Sequence, residues 1–236
     1  MKRILLSLVI FFAVSIFADT GQWYIETNPA SGNPEAVWSA KGGSDSSYEI
    51  RYSYLDGTEW APSVAITTDS VDDLDPRLAF DLSGNRNAVW WSDGTYDIIQ
   101  YSYLPFSGGS WSSPLSISSS SENCRYPSVV AHNSEVWFSY ERINNSGYRD
   151  VLCSTKEYPE PFPTFVISNT QRQTELRTKI HSINGHLWVD WIDSASYLGY
   201  SERISGLWSS AQYESYSGED DVENGRQRIR LKIVGN

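Results

Sequence analysis

Cysteine, methionine and histidine are scarce: the 236 residues hold 2, 1 and 3 of them. Two Cys exclude a small scaffold stapled by disulfides. His132, His181 and His186 have no metal-ligand spacing with Cys124 and Cys153, which argues against a zinc centre. Positive charge is short too, with 18 Lys+Arg against 29 Asp+Glu and a formal charge of -11. Nothing here could neutralise a row of phosphates, so nucleic acid is excluded as a partner. Long apolar runs are missing except at the N-terminus, and no later segment keeps a helical apolar period. Aromatic residues are plentiful, with 10 Trp and 15 Tyr, which suits a β-rich fold.

The first 18 residues read as an address. Lys2 and Arg3 precede an apolar stretch from Ile4 to Phe17, interrupted by Ser7 and Ser15, and Ala18 offers a small residue before Asp19. This is the layout of a secretory signal peptide cleaved after Ala18. The stretch is shorter than the roughly 20 residues of a spanning helix, so no membrane span is expected. The expectation is a secreted protein, extracellular or at the cell surface, whose mature part is residues 19–236.

That mature part repeats. Ser31–Trp38 (SGNPEAVW) and Ser83–Trp90 (SGNRNAVW) match closely. Trp38, Trp90, Trp137 and Trp188 form one column spaced by about 50 residues, Tyr52, Tyr101, Cys153 and Tyr200 a second, each followed by Ser, and Trp60, Trp111, Phe162 and Trp208 a third. The repeats run about 22–70, 71–121, 122–172 and 173–223, with a partial unit at 224–236. Each reads as four short strands. In the second unit these are Arg77–Asp81, Ala88–Trp91, Ile98–Tyr103 and Leu115–Ile117, joined by Gly/Ser/Asn turns. Runs such as Ala88-Val89-Trp90-Trp91 do not alternate cleanly, which fits sheets covered on both faces. The fold class is all-β, a β-propeller of four-stranded antiparallel blades. Arg228–Asn236 matches Arg77–Asn85, so a fifth unit begins with its first strand. This predicts part of a larger or open propeller; the alternative is a four-bladed ring with that strand docked on it.

The frame of strand, SGN, VW, loop, Tyr-Ser, Gly, Trp and strand resembles the sialidase-type β-propeller with Asp-box repeats. The box of that family reads S-x-D-x-G-x-x-W. Ser53–Trp60 keeps its Ser, Gly and Trp but has Leu55 at the Asp position, and the fourth unit has Arg203 and Ser205 at the Asp and Gly positions. In the family these boxes are stabilising turns away from the active site. The resemblance implies a site on the face that carries the links between blades and the second-to-third-strand loops. It also implies an arginine trio that grips a carboxylate, with a Tyr–Glu pair as nucleophile and base. The family's Arg-Ile-Pro segment is absent, and no Tyr–Glu pair can be selected among 15 Tyr.

Arg77, Arg125, Arg177 and Arg228 recur near the starts of first strands and are the candidates for such a grip. Asp93 and Tyr96 lie in the second-to-third-strand loop of the second unit, and Tyr148 and Arg149 in that of the third; these four join them as candidate ligand-binding residues. Ordinary Arg–carboxylate pairing is the bland alternative. Glu49, Asp97 and Asp150 each precede a third strand and read as loop hydrogen-bond acceptors. Acidic clusters fill two links, Asp69, Asp72, Asp73 and Asp75 in one and Glu219, Asp220, Asp221 and Glu223 in the other. Neither has an ordered calcium loop, so no cofactor is expected, with Ca²⁺ the one alternative. Cys124 and Cys153 are expected to be free, buried thiols, and most aromatics to be blade-to-blade packing. The reading is a secreted, non-catalytic binding or scaffold module whose partner is a glycan or a surface protein. The alternative is a sialidase-like retaining exo-glycosidase acting on acidic sugars.

Overall fold

A computed structural model describes residues 20–42, 46–144, 146–156, 162–168, 178–192 and 197–215, and these contain strands, turns and loops but no helix. The expected signal peptide (1–18), Arg177, Arg228, the acidic run Glu219–Glu223 and the expected partial fifth unit (224–236) lie outside the described residues.

Four antiparallel sheets follow one another along the chain. The first holds β1 (Thr20–Thr27), β2 (Pro34–Ala40), β3 (Glu49–Asp56), β4 (Glu59–Trp60) and β5 (Val64–Ala65). The second holds β6 (Asp72–Phe80), β7 (Arg86–Asp93), β8 (Asp97–Leu104) and β9 (Leu115–Ser116). The third holds β10 (Asn123–His132), β11 (Glu135–Ile143), β12 (Arg149–Thr155) and β13 (Thr164–Ser168). The fourth holds β14 (Lys179–Ile183), β15 (His186–Ile192), β16 (Tyr197–Ile204), β17 (Leu207–Trp208) and β18 (Gln212–Ser215). Strand order follows chain order, with β5 and β18 added on β3 and β16. The first strands β1, β6, β10 and β14 neighbour one another in turn and line a central cavity of about 400 Å³. The sheets are therefore the blades of a propeller, about four in number.

Turn chemistry sets the hairpins. Asn184-Gly185 and Ser205-Gly206 are two-residue loops with positive φ at both positions, 52° and 80° in one and 50° and 86° in the other. That geometry matches the right-handed twist of the flanking strands. All four strands expected in the second unit are present. β6 begins five residues earlier than Arg77, at Asp72, because a bulge between Leu74 and Arg77 lets the ladder continue through Asp75 at φ 52°.

The aromatic columns explain the packing, with one correction. The Tyr-Ser column holds: the hydroxyls of Ser53, Ser102 and Ser201 donate to the carbonyls of Ala61, Ser112 and Ser209 at 2.6, 2.8 and 2.8 Å, fastening each fourth segment to its third strand. The third column wedges blades together. Trp111 meets Tyr52 of the preceding blade at 5.2 Å between ring centroids, Phe162 meets Tyr101 at 6.3 Å, and Trp208 meets Trp137 at 6.0 Å. The first column is in fact two. The cross-strand partners of Tyr52, Tyr101, Cys153 and Tyr200 are Val37, Val89, Ser139 and Asp190. The residues that follow these, Trp38, Trp90, Tyr140 and Trp191, are the true equivalents. Trp137 and Trp188 stand three residues earlier, level with Glu35 and Asn87. Trp90, Tyr140 and Trp191 face the preceding blade, among Val37 and Ile50, Trp91 and Ile99, and Val151 and Cys153 respectively, whereas Trp137 faces forward onto Ile180, Leu187 and Val189. Burying one such large side chain contributes about 1.5–3 kcal/mol. Trp191 fits because its cross-strand neighbour is Gly199, where a Cβ would come within 2.2 Å of the indole. Cys124 and Cys153 are free and buried, and burial pushes the Cys124 thiol up to about 12.

Candidate functional site

The links between blades and the β7–β8 and β11–β12 loops share one face, and the candidate residues meet there in two groups. In the first, Asp93 closes β7 directly across from Asp97, which opens β8, so the intervening turn presents Tyr96 outward at 42% exposure. Arg125 reaches in from β10 of the next blade. Its Nε donates to Asp97 Oδ2 at 2.6 Å, and its guanidinium lies over the Trp91 ring at 4.6 Å. The Asp97 N–H in turn donates to Asn123 Oδ1 at 3.1 Å, which fixes the turn against the link. Partial desolvation and the neighbouring Asp97 carboxylate raise the Asp93 carboxyl, and Arg125 offsets part of that rise. Asp97 pairs with the guanidinium and Asp93 lies near enough to act on it electrostatically, so two carboxylates stand against one guanidinium and the patch carries net negative charge.

In the second group, Arg149 opens β12 and donates from Nη1 to Glu141 Oε2 at 3.0 Å, while its guanidinium lies 5.6 Å from the Tyr126 ring centre. Glu141 is 1% exposed. Burial drives its carboxyl up to about 7 against the pull of Arg149 and the Thr178 N–H, and the Asp75 charge adds to the rise. Tyr126 and Asp75 each precede a proline and have φ of 56° and 52°, a conformation rare for such residues that marks stored strain. Tyr148 lies half-buried at the end of the β11–β12 loop, its N–H donating to Asn144 Oδ1 at 3.1 Å.

The arginines do not form a register-matched ring. The ladder pairs Arg77 with Val89 and Arg125 with Glu141, while Ser128, not Arg125, pairs with Ser139. Bulges at Leu74–Arg77 and Arg125–Ser128 occupy the same place in β6 and β10, so Ser128 is the counterpart of Arg77. Arg77 lines the central cavity together with Glu26, Lys179 and His181 and is paired to Asp75 at 2.7 Å. Arg125 turns instead to the β7–β8 loop. The third candidate, Arg177, lies outside the described residues. Asp97, Trp91, Tyr126 and Glu141 complete these groups, and of them only Asp97 carried a repeat signal in the sequence. Asp97 and Asp150 do act as acceptors, from Arg125 and Arg142.

Among the described residues one group of acids could hold a metal ion, Glu49, Asp69 and Asp73 at the first link. The histidines pair with Ser182, Asp190 and Glu202.

No family model matches the sequence, and no curated protein matches it either. Solved structures do match in fold. A Hadza microbial sialidase, Hz136, superposes with a TM-score of 0.61 at 11% identity, over 82% of this chain and 46% of its own. The leech intramolecular trans-sialidase gives 0.64 at 8% identity, over 86% of this chain and 51% of its own. The fold is a sialidase-like β-propeller. An α-L-arabinanase of Penicillium chrysogenum, solved with arabinobiose, shares it at a TM-score of 0.60 and 14% identity, over 83% of this chain and 65% of its own. The chain spans about half the length of the two sialidases. Among the described residues no helix is long and apolar enough to cross a membrane.

Proposed function

We propose that this chain is a carbohydrate-binding propeller module, exported by its leader, that recognises neutral sugars on its link face without cleaving them. The observation that carries the reading is the commitment of Arg125 to Asp97 at 2.6 Å, with Asp93 beside it and Tyr96 exposed above. A guanidinium already paired with Asp97 and in the field of Asp93 offers little to an acidic sugar, whose carboxylate would meet net negative charge. A neutral sugar suits the same groups. Its hydroxyls donate to Asp93 and accept from Arg125, and its apolar ring face stacks on Tyr96. Arg77 is likewise held by Asp75. The fold neighbours include sialidases and an arabinanase, so sugar chemistry is at home on this scaffold.

An array of neutral and sialylated glycans, with a fluorogenic sialoside assay on the same preparation, tests the reading. The expected result is saturable binding to neutral glycans, weakened at least about tenfold by Tyr96→Ala or Asp93→Ala, with no sialoside hydrolysis above the blank. Hydrolysis that Arg125→Ala abolishes would overturn it.

One observation favours a second reading, a glycosidase: Glu141, held near 7 and paired with the Arg149 that lies over the Tyr126 ring, has the poise of a general acid or base. Turnover of any fluorogenic glycoside that is lost in Glu141→Gln would establish it.

A further inference from the structure

The link between the first and second blades gathers three carboxylates away from the sugar patch. Glu49 opens β3, Asp69 lies in the link and Asp73 lies in β6, and one oxygen from each falls within 4.8 Å of the others. Glu49 and Asp73 are 3% and 0% exposed. Each spends one oxygen on the fold. Glu49 Oε1 accepts from the Ser47 hydroxyl at 2.9 Å; Asp73 Oδ1 accepts from the Trp90 indole at 2.9 Å and from the Ser92 hydroxyl. The remaining oxygens, Glu49 Oε2 and Asp73 Oδ2, are buried and meet no hydrogen-bond donor among the described residues. The Thr67 hydroxyl stands near enough to favour the Asp73 charge, but it does not meet Oδ2 with bonding geometry. Buried, orphaned carboxylate oxygens in a cluster of three carboxylates combine a desolvation penalty with Coulomb repulsion, and a bound cation relieves both.

The next link shows that the backbone does not require these acids. The Ile50 N–H donates to Thr67 Oγ1 and the Ile99 N–H to Ser118 Oγ, both at 2.9 Å. The Tyr48 and Asp97 N–H groups donate likewise to Asp72 Oδ1 and Asn123 Oδ1. In that register Ile98 stands where Glu49 does, and Cys124 where Asp73 does. The same link therefore closes with an apolar side chain and a buried thiol. Beside the acids of the first link lies a polar pocket of about 240 Å³, lined by Ser46, Ser47, Thr67 and Thr68, with Arg51 on its wall. One guanidinium against three carboxylates leaves the site negative, and the pocket gives water and ions access.

We propose that Glu49, Asp69 and Asp73 bind Ca²⁺, which ties β3, the link and β6 together across the first blade boundary. The donors are all hard carboxylate oxygens, with water to complete the coordination. Ca²⁺ accepts six to eight such ligands in flexible geometry, whereas Mg²⁺ demands a near-ideal octahedron and sheds water reluctantly.

Protein stripped with EDTA and returned to chelator-free buffer is titrated with CaCl₂ and, separately, MgCl₂ by calorimetry, with thermal melts in parallel. The expected result is one saturable Ca²⁺ site with Kd of about 10⁻⁵–10⁻³ M. At tenfold excess over Kd the Tm rises by about 3–6 °C. Asp69→Asn, an exposed substitution, keeps the metal-free Tm and weakens Ca²⁺ binding at least about tenfold. Should Asp69→Asn lower the metal-free Tm, Glu49→Gln, whose amide oxygen retains the Ser47 bond, takes its place in the comparison. No saturable heat up to 10 mM Ca²⁺ (about ten times the weakest expected Kd), undiminished binding in the variant, or Mg²⁺ binding as tightly as Ca²⁺ would overturn the assignment.

Discussion

Glu35 bolts the first blade to the second, and its removal is the sharpest test of how the blades are held. It is 1% exposed and accepts four hydrogen bonds on two oxygens: from Arg86 Nε and Nη2 at 2.8 and 2.9 Å, from the Tyr52 hydroxyl at 2.5 Å and from Asn28 Nδ2 at 2.8 Å. Arg86 belongs to β7 and is itself only 12% exposed at its side chain. Glu35→Ala leaves that guanidinium nearly buried and unpaired, a loss of about 3–5 kcal/mol in comparable cases. It also removes the acceptor of the Tyr52 hydroxyl, which burial and the Glu35 carboxylate hold above the usual phenol range; the hydroxyl keeps only the longer bond it accepts from Arg86 Nε at 3.2 Å, and the lost bond costs about 1–3 kcal/mol. These terms overlap, so the expected total is about 4 kcal/mol, or a fall in Tm of roughly 8–16 °C at this chain length. Urea unfolding monitored by tryptophan fluorescence measures it, and a double-mutant cycle with Arg86→Met isolates the pair, with an expected coupling of at least about 2 kcal/mol. A loss below about 1 kcal/mol, or negligible coupling, would refute the reasoning.

Two further outcomes follow from the buried titratable groups. Glu141 binds its proton more tightly folded, with a carboxyl raised from 4.5 to about 7, so the stability tied to it is full below about pH 4.5 and declines as pH rises through 7. In EDTA the wild-type Tm should fall between pH 5.5 and 8 (the upper part of that window), and Glu141→Gln should remove most of the slope; an unchanged slope would discount the group. Asp73, raised from 3.8 to about 6 chiefly by burial, contributes with the same sign at lower pH. Cys124 and Cys153, buried and held as neutral thiols, should resist an aromatic disulfide reagent in the native state and both react in denaturant; rapid native labelling would contradict their placement.

The repeat was legible because it rests on local chemistry. The serine after each Tyr marker bonds a carbonyl of the fourth segment of its own blade, and Ser154 after Cys153 bonds the Thr164 hydroxyl there, so the pattern survives wherever that bond is needed. The first tryptophan column misled because both faces of each blade are buried. A Trp serves equally on either face, and loops of unequal length hide a three-residue offset between Trp90 and Trp137. The candidate site was legible only in part. Loops and strand starts single out Asp93, Tyr96, Arg125 and Arg149 as candidates, but the pairing of Arg125 with Asp97 crosses a blade boundary, and no spacing within one unit reports it. Glu49 looked like the counterpart of Asp97, yet the hydrogen bonds to Asp72 and Asn123 show that Tyr48 is; that one-residue displacement brings Glu49 to Asp73.

Arg125 is engaged by Asp97 at 2.6 Å and lies in the field of Asp93. Calorimetric titration of one oligosaccharide in sialylated and asialo forms tests that engagement most directly. The asialo form should bind at least as tightly, and Asp97→Asn should shift the preference toward the sialylated form. Tighter binding of the sialylated form by the wild-type protein would contradict the account.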